Sequence, residues 1–338
     1  MPAPYPATAD DPPRGGPPAH PADTYLADLP PAGTPYHRMG RTEPHRWWRP
    51  LLAALVAVSG WLVLSTTVVI VLVLVAQATG VDVGSADALR GHPVWRDVFR
   101  LVVPALMLPV VLLAARLAQH RRAGTLTSVT GRCRWRWLAV CLVVAAAATS
   151  AMCSLALLLG HLSGTPSAGF TSAQWAGRPS LPAAAVLLLL VPLQAAAQEY
   201  VFRGWLPQLV GCYLRTPWAG PVLAGLLFAL TYGRSTPWGF GCLFLLSLVL
   251  GLLVLRTGGL EAAVAFHVAG GLTAHLLYAA SAGGPTGAAA ASADATWRLL
   301  AAAAVVLPLY AWTILRLARR SGVARTAPGP APYSATVR

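Results

Sequence analysis

The chain has 338 residues, of which 56% are hydrophobic and 11% are charged, and its formal net charge is +14. Because the apolar residues lie in blocks long enough to cross a bilayer, this composition excludes an ordinary soluble domain and indicates an integral membrane protein. All 25 basic residues are arginines, they lie beside the apolar blocks, and they form no single basic face interleaved with aromatics. We therefore expect a membrane partner and no nucleic-acid partner.

Three regions follow from the distribution of residue types. Residues 1–46 are rich in Pro, Ala and Gly and predict a disordered cytoplasmic tail, because they carry too little apolar surface to offset the entropy of ordering. Residues 47–317 predict a multi-span membrane domain, and residues 318–338 predict a basic, disordered cytoplasmic tail. The absence of lysine is typical of a GC-rich genome, so the expected location is the plasma membrane of such a bacterium.

The membrane domain predicts an all-α, polytopic helical bundle with about eight transmembrane helices. Each apolar block is near the ~20 residues that a membrane helix requires. Arginines cluster in alternate connections, and this pattern puts both termini in the cytoplasm, as an even number of spans requires. The expected spans are approximately 51–78, 98–118, 137–159, 181–199, 218–233, 238–256, 260–280 and 297–317.

The five cysteines form no CxxC pair, so the spacing predicts neither a disulfide framework nor a zinc ribbon. The histidines and acids give no confident metal site either. The candidates within or near the spans are Glu199, His161, His267 and His275, and His267 lies ~12 Å along one helix from His275. A catalytic zinc needs about three protein ligands, so zinc is a weak expectation here.

Acidic residues are rare within the predicted spans, where only Glu199 and Glu261 occur. Glu199 lies in the string QEYVFR, at the end of the fourth predicted span, and Arg203 follows it by four residues. This spacing puts both side chains on one helix face, where they are expected to pair. Ionisable residues at such a depth are costly in lipid and usually face the protein interior or a wet cavity.

Two further strings follow QEYVFR (Gln198–Arg203) in the chain. FALTY (Phe228–Tyr232) ends the fifth predicted span, and HVAGG (His267–Gly271) lies in the seventh. In order and spacing, the three strings resemble the motifs EExxxR, FxxxH and HxxxN or HxxxD of the CPBP intramembrane proteases. That family includes CAAX prenyl proteases and bacteriocin-processing, Abi-type enzymes. The resemblance has its specific core at residues 198–271 and implies a CPBP-like core at about 181–280.

The resemblance also implies roles for individual positions. In the family, the first glutamate activates a water, the histidine of the second motif assists, and the third-motif His and Asn stabilise the oxyanion. These roles fall on Gln198, Tyr232, His267 and Gly271. Three of the four positions differ from the family: the Gln amide is not basic, the Tyr hydroxyl is no base at neutral pH, and Gly has no donor.

The retained motif residues are Glu199, Arg203, Phe228 and His267, with Arg203 and Phe228 expected to be structural. One interpretation is a CPBP homologue with weakened or lost proteolysis, which binds a transmembrane segment or a lipidated peptide as a scaffold. An alternative is an active intramembrane endopeptidase that uses Glu199 and His267. A further alternative is a small-molecule transporter, although the spans show no internal duplication.

Overall fold

The computed structural model describes residues 29–42, 45–84, 92–164, 181–233, 235–280 and 295–329. These residues form an all-helical bundle without any β-strand, so the predicted fold class is confirmed. The helices are α1 (Arg49–Ala78), α2 (Pro93–Ala105), α3 (Met107–Leu117), α4 (Trp135–Leu162), α5 (Leu181–Glu199), a π-helical turn (Tyr200–Trp205), α6 (Leu206–Tyr213), α7 (Ala219–Leu230), α8 (Pro237–Thr257), α9 (Glu261–Ala280) and α10 (Trp297–Arg320).

Six helical segments of the described chain are long and apolar enough to cross a membrane, judged by length and composition. Each overlaps one of the eight spans that the sequence predicts. The second is a broken span, since α2 and α3 meet at Leu106 between Pro104 and Pro109. Proline removes a backbone donor and clashes with the preceding turn, which accounts for the break. The six segments are 49–78, 94–117, 135–162, 181–213, 237–257 and 297–320.

The predicted span at 218–233 is shorter than expected. Its helix, α7, has 12 residues and ends at Leu230, and Gly233 then takes a positive φ of 67°. Twelve helical residues rise only ~18 Å, which is less than the thickness of the hydrocarbon core. The predicted span at 260–280 is the 20-residue helix α9, which lies among α4, α5 and α8.

The fourth span extends further than its charged residues suggested. We expected it to end at Glu199, but helical structure continues through the π-helical turn and α6 to Tyr213. The sequence placed an end here because a carboxylate and a guanidinium usually mark the exit from lipid. In the structure Glu199 and Arg203 instead pair with each other inside the protein, so the helix does not stop at them.

The main core lies between α4, α8, α9 and α10, and α5 packs against the outer side of α9 and against α2. Its buried side chains are mostly small or aliphatic, and Tyr310 of α10 donates a hydrogen bond to the carbonyl of Ala262 at 2.7 Å. α9 is therefore the central helix, and it carries His267 into contact with the segment that carries Glu199.

An ion pair between Arg134 and Glu261 connects several segments at one end of the bundle. Arg134 Nε donates to Glu261 Oε1 at 2.7 Å, and Arg134 Nη2 donates to Glu261 Oε2 at 2.6 Å. Arg134 Nη1 also donates to the carbonyls of Thr257 and Ala324, at 3.0 and 3.1 Å. A Cβ on Gly259 would lie 2.2 Å from Arg134 Nη2, so glycine makes room for the guanidinium. The pair thus joins α4, the α8–α9 turn and the segment after α10.

Part of each expected tail is folded onto the same end of the bundle. In the N-terminal segment 29–42, Tyr36 and Met39 are fully buried, and Tyr36 donates a hydrogen bond to the carbonyl of Leu126. In the C-terminal segment 321–329, Ala327 donates to the carbonyl of Thr34 at 2.9 Å. These two segments differ from the disorder expected for them, because a few apolar side chains find partners that only the assembled bundle provides. Their pairing also puts both ends of the described chain at one end of the bundle.

Candidate functional site

The QEYVFR motif spans the junction between α5 and the π-helical turn. Glu199 is the last residue of α5, and Arg203 lies inside the turn Tyr200–Trp205. Arg203 Nη1 donates to Glu199 Oε1 at 2.9 Å, so the predicted pairing is present. Glu199 is 0% exposed and Arg203 is 1% exposed, so the pair lies wholly inside the protein. π-helical turns widen a helix locally and are frequent at functional sites.

His267 of α9 contacts the same carboxylate oxygen. Its Nδ1 lies 2.7 Å from Glu199 Oε1, although the two residues are 68 positions apart in the chain. A carboxylate oxygen only accepts, so Nδ1 carries the proton in this hydrogen bond. When His267 is neutral, Nε2 therefore keeps its lone pair. The structure thus brings together the three polar residues that the family motifs share with this chain.

Aromatic rings surround this polar group. The guanidinium carbon of Arg203 lies 4.2 Å from the centroid of the Phe228 ring. Phe202 and Tyr232 pack edge-on against Phe228, with centroids at 5.3 and 5.4 Å, and the His267 ring lies at 6.0 Å. Arg203 therefore has a carboxylate on one side and the negative face of an aromatic ring on the other, and both stabilise a buried cation. The sequence predicted Phe228 as structural but gave no reason to single out Phe202.

Four buried polar atoms in this group have no hydrogen-bond partner within the described part of the chain. They are two acceptors, Gln198 Oε1 and Glu199 Oε2, and two donors, Arg203 Nε and Arg203 Nη2. An unmet buried polar atom costs about 1–3 kcal/mol, so such a set is unusual away from functional sites. Donors and acceptors in equal number, within two helical turns, match the needs of a bound amide group or of water.

The remaining family positions fall close to this group but carry different chemistry. Gln198 precedes Glu199 in α5, and its side chain is half-buried. Tyr232 lies after the end of α7, where its ring contacts Phe228 but not the carboxylate through any described hydrogen bond. Gly271 lies one turn beyond His267 in α9, and a Cβ built on it would lie 2.9 Å from Val191 Cγ1 of α5. Helix packing therefore fills the space where the family has an asparagine or aspartate.

The residues present do not fit a catalytic zinc. Among the described residues, no three His, Cys, Asp or Glu side chains lie close enough together to hold a metal ion. Glu199 and His267 supply two candidate ligands, but Arg203 occupies one oxygen of the carboxylate, and a catalytic zinc takes about three protein ligands. We derive no metal-dependent step from this arrangement.

A second buried polar group, which the sequence did not indicate, lies further along the same helical segment. Arg121 Nη1 donates to Gln208 Oε1 at 2.5 Å and to Thr125 Oγ1 at 3.0 Å, while Arg121 Nε donates to Gln119 Oε1 at 2.6 Å. Burial lowers the pKa of Arg121 to about 10, which still leaves it charged at neutral pH. Arg121 is one of several arginines in its connection, so its sequence context predicted only a topology signal.

Comparison with known proteins shows which family the segment around this site resembles. Residues 179–273 match the family model described as "Type II CAAX prenyl endopeptidase Rce1-like". Searches of curated proteins and of solved structures each gave no match to the chain. The matched segment contains Glu199, Arg203, Phe228 and His267, which the structure brings into contact. Through this segment the chain is similar to the Rce1-like, CPBP-type membrane endopeptidases, and it carries different residues at three of the motif positions.

Proposed function

We propose that this protein binds a membrane-embedded or lipidated peptide segment at its CPBP-type site, and that proteolysis there is weakened or lost. The observation that carries the proposal is the burial of Glu199 and the way its carboxylate is hydrogen-bonded. Its carboxylate is fully buried, and one oxygen accepts hydrogen bonds from both Arg203 and His267. A carboxylate held in this way balances a buried cation and orients a histidine, and it is a poor base for water.

The substituted positions support the same conclusion. Gln198 stands where the family places its base, and an amide takes no proton from water. Gly271 offers no donor to an oxyanion, and Val191 fills the space beside it. Loss of one oxyanion donor costs on the order of 10²–10³ in rate in other hydrolases, and here the base is changed as well.

The polar atoms that have no partner among the described residues indicate what kind of group the site could bind. Gln198 Oε1 and Glu199 Oε2 are acceptors, and Arg203 Nε and Nη2 are donors. A peptide group presents one donor and one acceptor, and in a membrane it must satisfy both. A segment with locally unwound backbone is therefore a fitting ligand, with the rings of Phe202, Phe228 and Tyr232 beside it.

A second function, hydrolysis that uses Glu199 and His267, is favoured by one observation. The hydrogen bond at 2.7 Å fixes the proton of His267 on Nδ1, so Nε2 can accept a proton from water. The buried carboxylate then stabilises the imidazolium that forms, as an orienting acid does in other hydrolases. In this alternative, the side-chain amide of Gln198 or the hydroxyl of Tyr232 would serve the oxyanion.

The test compares protein termini, by mass spectrometry, in membranes of the native host. A deletion strain is complemented with the wild type, with His267→Ala, or with the control His275→Ala, which removes a histidine two turns further along α9. Under the binding proposal, all four strains show the same termini. Termini that the wild type and His275→Ala restore, and that stably expressed His267→Ala does not, would overturn it and establish hydrolysis.

Binding is measured in the same strains by photocrosslinking. A benzophenone amino acid replaces Tyr232, beside the site, or Trp218, an exposed residue before α7. We expect the Tyr232 probe to crosslink a membrane-spanning or lipidated peptide that the Trp218 probe does not reach. Crosslinks to lipid alone from both positions would contradict the binding proposal, whatever the comparison of termini shows.

A further inference from the structure

The C-terminal half of α10 carries a pocket that has no connection with the CPBP motifs. Trp312, Leu315, Arg316 and Arg319 line a cavity of about 280 Å³. These residues follow one another at spacings of three and four, so they share one face of the helix. Trp312 is 59% exposed, and both arginines are exposed as well.

Neither guanidinium group of this pocket forms an ion pair with an acid in the part of the chain that the structure describes. Arg316 is held instead against the Trp312 ring, with its guanidinium carbon 5.2 Å from the ring centroid. This contact fixes one edge of the guanidinium on the apolar ring and leaves its other donors available.

The position of the pocket along α10 matches the depth of a lipid headgroup. α10 ends at Arg320, so Arg316 and Trp312 lie about 6 and 12 Å from its end, at 1.5 Å per residue. Tryptophan is enriched where the acyl chains meet the headgroups, and arginines near helix ends reach outward to the interface. With the bilayer surface near the end of α10, the pocket would offer an apolar floor to an acyl chain and two cations to a phosphate.

We propose that this pocket binds the headgroup of an anionic phospholipid, with its phosphate between Arg316 and Arg319 and its upper acyl chain against Trp312 and Leu315. The charge decides the class of lipid. Two guanidinium groups that pair with no acid among the described residues favour a headgroup of net negative charge, since a zwitterionic lipid would bring a cation into the same space. The inference is independent of what binds at Glu199.

The test uses the full chain in dodecylmaltoside, titrated with phosphatidylglycerol. Native mass spectrometry counts the bound lipids, and the thermal unfolding midpoint reports the stabilisation that binding gives. Phosphatidylcholine with the same acyl chains and inorganic phosphate are titrated in parallel. The variant is Arg316→Gln/Arg319→Gln, and the matched control is Arg320→Gln/Arg325→Gln, which removes two exposed charges from the same end of the bundle.

We expect phosphatidylglycerol to bind the wild type and the control equally, and to bind the double variant about 25-fold more weakly, at about fivefold for each arginine. The single variants Arg316→Gln and Arg319→Gln should each show part of this loss. Equal weakening in the control would overturn the proposal in favour of a diffuse arginine effect. Equal binding of phosphatidylcholine, or the same stabilisation by inorganic phosphate, would overturn the lipid assignment.

Discussion

His267 donates a hydrogen bond of 2.7 Å to Glu199, and by this bond α9 is joined to the junction between α5 and the π-helical turn. The same oxygen of Glu199 accepts from Arg203 at 2.9 Å. The two contacts of Glu199 contribute differently to stability. Removing Arg203 takes away the opposite charge, whereas removing His267 leaves the ion pair with Arg203 intact. Removing each partner separately therefore gives different results.

Arg203→Ala should destabilise the protein by about 3–5 kcal/mol, because it removes the guanidinium that balances the buried charge of Glu199. His267→Ala should cost about 1–3 kcal/mol, because Glu199 still accepts from Arg203. The measurement is thermal unfolding in detergent, followed by tryptophan fluorescence, with His275→Ala as the control for loss of a histidine from α9. Equal destabilisation by the two alanine variants would contradict this ranking.

Gly271→Ala should destabilise the protein by about 1–3 kcal/mol, since the new Cβ would lie 2.9 Å from Val191 Cγ1. Gly270 is a matched control, because a Cβ there meets only Thr149 Cγ2 at 3.5 Å, an ordinary contact. Gly270→Ala should be neutral or slightly stabilising, as alanine favours helix over glycine. Adding Val191→Ala to Gly271→Ala should recover about 1 kcal/mol relative to the sum of the single changes, measured by a double-mutant cycle. Strict additivity would show that Val191 does not limit this position.

The same contact bears on whether family-type catalysis can be built into this site. Gln198→Glu, Tyr232→His and Gly271→Asn together supply the family chemistry, but the asparagine has no room beside Val191. We expect the variant that adds Val191→Ala to fold and to cleave a prenylated peptide of the family type, as measured with a fluorogenic substrate. The variant without Val191→Ala should be poorly folded. A well-folded fourfold variant without activity would show that these side chains are not sufficient for cleavage of the family type.

Tyr36→Ala should cost about 3–5 kcal/mol, because a fully buried ring and its hydrogen bond to the carbonyl of Leu126 are both lost. Tyr36→Phe, which removes only the hydroxyl, should cost about 1–3 kcal/mol. The control is Thr34→Ala, a half-buried position in the same segment whose hydroxyl donates only a local hydrogen bond to the carbonyl of Pro31. Thermal unfolding of the full chain gives the ranking, and a neutral Tyr36→Ala would mean that the segment does not contribute to stability.

Cys133 should react slowly with maleimide at neutral pH, although it is only half-buried. Burial, and after it the charge of Glu261, raise the pKa of this thiol to about 11. At pH 7.5 roughly one molecule in three thousand then carries the reactive thiolate. In a chain whose other four cysteines are alanine, the labelling rate should rise about tenfold for each pH unit from 7 to 10. The SDS-unfolded chain is the control, and a plateau near pH 8.5 in the folded protein would contradict the raised pKa.

Local sequence spacing predicted the parts of the site that depend on one helix. Glu199 and Arg203 are four residues apart and do pair, and six of the expected spans are helices of sufficient length. The motif order also indicated that His267 belongs with them. Spacing alone did not predict that one oxygen of Glu199 accepts hydrogen bonds from both Arg203 and His267. The contact with His267 depends on how α9 packs against α5.

Other features of the structure could not be predicted from the sequence, because they arise only from tertiary packing. The contact of Gly271 with Val191 joins two helices 80 positions apart, and no feature of the string HVAGG indicates it. The end of the fourth span was placed too early because the charges of Glu199 and Arg203 are typical of an exit from lipid. Tyr36 lies in a Pro- and Gly-rich stretch with no periodicity, and its order depends on an acceptor at Leu126.

The pairing of Thr34 with Ala327 sets a condition on the order of folding. The segment before α1 is synthesised before the membrane helices, but its partner follows α10 and leaves the ribosome after all of the described helices. The N-terminal segment therefore cannot take its final place until every membrane helix has been inserted. Its closure is a late, long-range step, so a chain truncated before residue 323 should insert its helices yet leave Tyr36 accessible to protease.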